Sequence, residues 1–273
     1  MQIDEMVLAV LLGLVQGLLE WLPVSSEGTV ALVLTLFVGE APVVATRFAL
    51  FLHVGTAIAA TVFYRGEIAA LLGTLPDWQP REAFGDRSAD LSFYVVATLV
   101  SGVVGISVYL TLAELASELA GGAFVAVIGV LLVFTGLIQR TAEQRGHGGR
   151  ASPDAVDAVL VGVMQGLALL PGVSRSGTTV SALLLRGHEG EATLRLSFLL
   201  SIPASLGAGV LVVVDEGVPA IPPAAAALAI AVSAVVGFLT VSALVALVRR
   251  VAFWGICVGF GALAILGGAM LVV

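Results

Sequence analysis

The chain has 273 residues, of which 59% are hydrophobic and 11% charged. Water-soluble domains carry about one quarter charged residues, so a soluble globular protein is excluded at the outset. The formal charge is −7 and all twelve basic residues are arginine. With no basic patch, nucleic acid is excluded as a partner. A lysine-free, acidic composition fits a salt-rich habitat or a GC-rich genome equally well. The one cysteine, Cys257, has no partner for a disulfide within the chain, and no cysteine set for a metal exists. The acidic N-terminus, followed by an apolar run that contains Gln16 and Glu20, argues against a cleaved signal peptide. No polar stretch is long enough to build its own core, so the chain reads as a single membrane domain.

In chain order, the first apolar run covers residues 6–22. It is broken by Pro23-Val24-Ser25-Ser26-Glu27-Gly28 and resumes over 29–38. Neither half is long enough to cross a bilayer alone, and such a helix, break and short helix read as a re-entrant hairpin. Three long runs follow at 43–64, 91–113 and 124–138, each a predicted span. A second broken run covers 155–170, is interrupted by Pro171-Gly172-Val173-Ser174-Arg175-Ser176-Gly177, and resumes over 178–185. Three more spans are predicted at 196–214, 224–248 and 251–273. The expected fold is an all-α integral membrane protein of six transmembrane helices plus two re-entrant helical hairpins.

Arginine gives the orientation. Arg65, Arg81 and Arg87 follow the first span, Arg140, Arg145 and Arg150 the third, and Arg249 and Arg250 the fifth. Arg186 and Arg195 follow the second hairpin, whereas the loops at 114–122 and 215–223 hold none. The arginine-rich side reads as cytoplasmic. The first hairpin then enters from outside and the second from inside. Each half, residues 1–138 and 155–273, is one hairpin followed by three spans. Three is odd, so the halves form an inverted-topology repeat, whose sites sit near the midplane. Sequence agrees: Gln16-Gly17-Leu18 matches Gln165-Gly166-Leu167. At the same offset Ser25-Ser26-Glu27-Gly28-Thr29 matches Ser174-Arg175-Ser176-Gly177-Thr178.

In each hairpin the second half-helix begins at a Ser/Gly/Thr cluster. A helix start presents free N–H groups and partial positive charge, and two of them converging make an anion site. Arg175 is costly at membrane depth, by at least ~2.5 kcal/mol, and therefore needs a partner. Its planar fork suits a phosphate, with Ser174, Ser176, Thr178 and Thr179 adding donors, or else an internal ion pair with Glu20 or Glu27. Gln16 and Glu20 share a helix face. Glu20 is a candidate for holding a divalent metal or acting as a base, or else faces water. Ser26 is either a nucleophile or a plain helix cap. His53 interrupts a span and serves proton transfer or a packing hydrogen bond. His147 and His188 are expected in solvated loops. Arg47 is expected at the outer surface or paired with Glu40.

Gln16-Gly-Leu-Leu-Glu20-Trp-Leu-Pro-Val-Ser25-Ser26-Glu27-Gly28 resembles the first signature of the undecaprenyl-diphosphate phosphatase family, the bacitracin-resistance membrane enzymes. Pro171-Gly-Val-Ser174-Arg175-Ser176-Gly-Thr178-Thr179 is similar to the second signature, and Ser197-Phe-Leu-Leu-Ser-Ile-Pro203 to a third block. The resemblance covers nearly the whole chain. It implies hydrolysis of a C55-type polyprenyl diphosphate to the monophosphate at the plasma membrane, with the site facing outside. It implies a divalent cation, magnesium or calcium, for which Glu20 and Gln16 are the candidate ligands. It implies catalytic roles for Glu20, Ser26 and Arg175, and lipid-head contacts from Ser25, Glu27, Thr29, Ser174, Ser176, Gly177, Thr178 and Thr179. Two positions depart from the pattern. Gln16 stands where many members carry glutamate, and Thr29 where many carry a histidine that assists the serine. Glu20, Glu27, His53 or metal-bound water then remain as candidates for the base. The partners implied are the polyprenyl diphosphate and the bilayer, with a homodimer left open. Transport of polyprenyl phosphate is the competing function, since inverted repeats with broken helices also build transporters.

Overall fold

The computed structural model describes residues 4–85, 88–118, 121–145, 148–216, 222–248 and 251–272. Among them the fold is all-helical, and the one bridge, Arg150 with His188, is isolated. Eleven α-helices follow in order: α1 Glu5–Leu19, α2 Ser26–Val33, α3 Pro42–Phe63, α4 Arg65–Gly73, α5 Ala89–Glu118, α6 Gly121–Arg145, α7 Ala155–Leu167, α8 Arg175–Leu185, α9 Gly190–Glu216, α10 Pro223–Val248 and α11 Phe253–Val272. Six of these, α3, α5, α6, α9, α10 and α11, are long and apolar enough to cross a membrane. Arg87, Arg249, Arg250 and His147 lie outside the described residues.

Helix starts explain where the boundaries differ from expectation. The second halves of the broken runs were expected from 29 and 178. They begin at Ser26 and Arg175, because Ser25 and Ser174 each accept the N–H of the residue three positions on and cap the helix. Glu27 and Gly28 are therefore helical. The fourth span reaches back to Gly190 because Arg195 has a partner: its Nη1 lies 2.6 Å from Asp90 Oδ2 at the start of α5. The loop expected at 114–122 is largely helical, with α5 running to Glu118 and α6 starting at Gly121.

In the first broken pair α2 packs on α3, the next span in sequence, but α1 packs chiefly on a distant one. α1 lies on α10, and in the second half α7 lies on α5. Glycine permits the approach. A Cβ on Gly13 would fall 2.6 Å from the Ala229 carbonyl oxygen, and one on Gly162 2.8 Å from that of Ala97. α6 and α11 pair in the same way: a Cβ on Gly129 would fall 2.6 Å from the Gly261 oxygen, and one on Gly261 2.6 Å from the Gly129 oxygen. Lipid tails compete with apolar side chains for helix surfaces, so close backbone packing of this kind supplies much of the association. α3, the most enclosed of the six, packs on both α9 and α10. Trp21 closes the turn after α1: it meets Phe198 edge-on at 5.7 Å, and its Nε1 donates to Gly237 O at 3.0 Å.

Gly129→Val is expected to force α6 and α11 apart and to cost about 1–3 kcal/mol, as overpacking does. A lowered midpoint of thermal unfolding in detergent micelles is the measurement.

Candidate active site

The turn that follows α1 and the turn that precedes α8 meet in the middle of the molecule. A Cβ on Gly28, in the first turn of α2, would fall 2.8 Å from Gly172 N, so the start of α2 touches the turn before α8 backbone to backbone. Gly172 has φ +101, a left-handed conformation that favours glycine. Ser25 joins the turns, since its Oγ accepts N–H groups from Gly28 at 2.9 Å and from Gly172 at 3.1 Å. Ser176 Oγ donates across to Leu22 O at 2.9 Å, and Gln139 Nε2 on α6 donates to Pro23 O at 2.6 Å. Cys257 donates to the same Pro23 oxygen.

Glu20 sits at the C-terminal cap of α1 and collects the polar groups around it. Its Oε1 accepts from Arg175 Nη2 at 2.7 Å. Its Oε2 accepts from Ser26 Oγ at 2.9 Å and from Gln16 Nε2 at 3.0 Å. His53 Nε2 lies 3.3 Å from the same oxygen. His53 Nδ1 is 2.8 Å from Ala49 O, a carbonyl that can only accept, so Nδ1 carries a proton. The expected alternative of an Arg175–Glu20 ion pair is therefore present, but it does not exhaust the guanidinium. Nη1 reaches Ser197 O at 3.4 Å, and Nε is buried without a partner.

Glu20, Ser25, Ser26, Glu27, His53, Ser174, Arg175 and Ser176 line one cleft of about 240 Å³ including its mouth, with Val24, Ala168 and Val173 as apolar walls. Gln16, Thr29, Gly177, Thr178 and Thr179, also expected at the site, stand outside this lining. Thr29 Oγ1 donates to Ser25 O, Thr178 Oγ1 to Ser174 O and Thr179 Oγ1 to Arg175 O. Gly177 gives its N–H to Ser174 Oγ and fronts a second, mostly apolar cavity of about 520 Å³ behind Ser176. The sequence reading missed Ser197, Trp21 and Gln139, which hold the site from outside. Gln139 lies just past the third predicted span, beside Arg140, where a polar residue draws no notice.

Two further expectations are corrected. His188 is fully buried rather than solvated, with Nε2 2.9 Å from Asp157 Oδ2. Asp157 also takes Arg186 Nε at 2.7 Å and Arg150 Nη2 at 3.0 Å. Asp154 and Asp157 cap α7 reciprocally. The start of α7 is thus tied to the end of α8, the helix that carries Arg175. Burial pushes the Asp157 carboxyl up, but the hydrogen bonds from Arg186, the Asp154 backbone and His188 prevail and hold it at about 2. Arg47 pairs with Asp215 at 3.4 Å, not with Glu40.

With this geometry in hand, known proteins supply the comparison. The family described as bacitracin resistance protein BacA matches residues 9–266. The chain belongs to the BacA family. A protein of Haloarcula marismortui named undecaprenyl-diphosphatase is 59% identical over 98% of each chain. Proteins of the same name from Methanococcoides burtonii and Methanopyrus kandleri are each 37% identical, over 94% and 96% of this chain and 96% of theirs. With six apolar helices, this BacA-family chain is a multi-pass membrane protein.

Because the folded Asp157 carboxyl titrates below its ordinary value, its stabilising contribution is complete above about pH 4 and is lost only as pH falls through about 2. Thermal stability should therefore show no Asp157-dependent change between pH 5 and 8. Asp157→Ala, by contrast, is expected to cost on the order of 3 kcal/mol throughout that range. Melting curves of both proteins across pH make the comparison.

Proposed function

We propose that this chain hydrolyses a polyprenyl diphosphate of the undecaprenyl type to the monophosphate and inorganic phosphate, recycling a glycan lipid carrier. The relatives named above are undecaprenyl-diphosphatases, alike over nearly their full length. Their shared name favours hydrolysis over transport. The observation that carries the chemistry is the meeting of Arg175 with Glu20 and Ser26 in one cleft.

In this reading the terminal phosphate of the lipid binds against the unused N–H groups of Arg175 and the first turns of α2 and α8. Ser26 Oγ attacks its phosphorus while Glu20 Oε2 takes the serine proton, the contact being 2.9 Å. The bond to the bridging oxygen breaks, and its electron pair leaves on the polyprenyl monophosphate. Water then attacks the phosphoserine, Glu20 returns the proton to Ser26 Oγ, and inorganic phosphate departs. Thr29 cannot serve as a base, and His53, beside Glu20 Oε2, takes the place of the family's usual histidine as the proton partner. Ser25, Ser174 and Ser176 line the head-group cleft, while Thr29, Gly177, Thr178 and Thr179 hold its backbone in shape.

A divalent cation, magnesium or calcium, fits the chemistry of this site. Glu20 and Glu27 present carboxylate oxygens to the cleft, and one oxygen of Glu27 is buried without a partner, whereas Gln16, the other expected ligand, stands outside the lining. Such an ion would draw negative charge off the diphosphate.

The two broken helix pairs are read here as re-entrant hairpins, and the two halves of the chain as an inverted repeat. The glycine contacts support this. One sequence separation relates Gly129 to Gly261, Gly136 to Gly268 and Ala97 to Ala229, and the related residues occupy equivalent contacts. Arg65, Arg140, Arg145, Arg150, Arg186 and Arg195 lie near one set of helix ends and Arg47 near the other, which supports cytoplasmic placement of the first set in the plasma membrane; the site is read as facing outside.

Purified protein given farnesyl diphosphate and magnesium should release phosphate. Arg175→Ala is expected to lower the rate about 10³-fold or more, and Ser26→Ala to bring it to background. Release that survives Arg175→Ala overturns the assignment.

A further inference from the structure

We propose that Glu27 is the carboxylate that holds a divalent cation in the cleft, and that Glu20 is not. This deepens the phosphatase reading and rests on it for the identity of the anion that the cation faces.

The assignment begins with occupancy. A carboxylate offers about four acceptor positions. Glu20 has four neighbours already: Arg175 on Oε1, and Ser26, Gln16 and His53 around Oε2. A metal on Oε2 would have to displace one of three neighbours already there, and one on Oε1 would sit beside the Arg175 guanidinium, whose charge repels it. Glu27 differs. It is 3% exposed, lines the same cleft, and its Oε1 has no hydrogen-bond partner. Among the described residues no cation lies within ion-pair distance of it.

Its place in the helix sharpens the point. Glu27 is the second residue of α2, and Ser176 is the second residue of α8. Ser176 satisfies itself by donating across to Leu22 O at 2.9 Å. Once ionised, Glu27 has no proton to donate and needs a positive charge where Ser176 needs only an acceptor. Charge balance points the same way. Arg175 offsets Glu20, which leaves the Glu27 charge facing a diphosphate of the same sign. A divalent ion between Glu27 and the diphosphate reverses that repulsion.

Among the described residues no three His, Cys, Asp or Glu side chains stand close enough to cage a metal. The cation would then be held by one carboxylate, water and the oxygens of the diphosphate. That is the coordination magnesium prefers, since it dehydrates reluctantly and keeps several waters.

The test measures binding apart from turnover. The full-length protein in lipid nanodiscs is titrated with Mn2+, an oxygen-preferring stand-in for magnesium. Free ion is read by electron paramagnetic resonance, with and without a non-hydrolysable farnesyl methylenediphosphonate. The wild type should bind one Mn2+, more tightly with the diphosphonate present. Glu27→Gln should weaken that binding at least about tenfold, and Glu27→Asp should restore part of it. Melting curves establish that both variants are folded. Wild-type Mn2+ affinity in folded Glu27→Gln overturns the proposal, as does a wild type that binds no Mn2+ in either condition. Weakened Mn2+ binding in Glu27→Gln, in a protein that releases no phosphate from farnesyl diphosphate, leaves the cation site standing and removes the phosphatase reading.

Discussion

The contact between Arg175 and Glu20 is the constraint on which the rest of the molecule depends. Each residue is expensive to place in the middle of a membrane protein, and neither belongs to a span. They come from opposite halves of the chain and are 155 positions apart. The ion pair can form only if two interrupted helices reach the same depth, so everything that fixes those turns serves it. Ser25 binds N–H groups of both turns, Gln139 and Ser176 grip the carbonyls of the first, and the Asp154–Asp157 group secures the far ends of α7 and α8. Pairs of glycines four residues apart, Gly13 and Gly17 on α1 and Gly162 and Gly166 on α7, bring each helix close to its neighbour's backbone.

The pair also sets the electrostatics of the cleft. Glu20 neutralises part of the guanidinium yet leaves Arg175 Nε without a partner. The same carboxylate accepts from Ser26 and faces His53. One acidic side chain therefore orients the cation and the hydroxyl together, in a site that excludes most water and in which such charges act strongly. The neutral residues at the margin are tied to backbone: Thr29, Thr178 and Thr179 all return their hydroxyls to carbonyls one helix turn back.

Much of this was legible in the sequence because lipid imposes simple rules. Apolar length marked the six spans, Pro and Gly marked the two interruptions, and a lone arginine in an apolar setting marked the centre of the site. The parts that were hidden depend on long-range packing. Nothing local distinguishes Thr178 and Thr179, whose hydroxyls turn inward to their own helix, from Ser176, which reaches across to the other turn. His188 looked like a loop residue because its partner Asp157 is 31 positions away. Helix ends moved for a similar reason: serine caps and the Arg195–Asp90 pair extend helices over residues that composition assigns to loops.

The contact of Gly28 with Gly172 carries a consequence for selectivity. Where backbone meets backbone no side chain can yield, so the joint beside the cleft is fixed by the main chain and only lining side chains such as Glu27, His53 and Arg175 can alter the room within it. A polar cleft of this kind gauges the head of a lipid and offers few apolar walls to its tail. Discrimination by tail length would fall to the bilayer, through how readily each lipid dissolves in it and drifts to the opening.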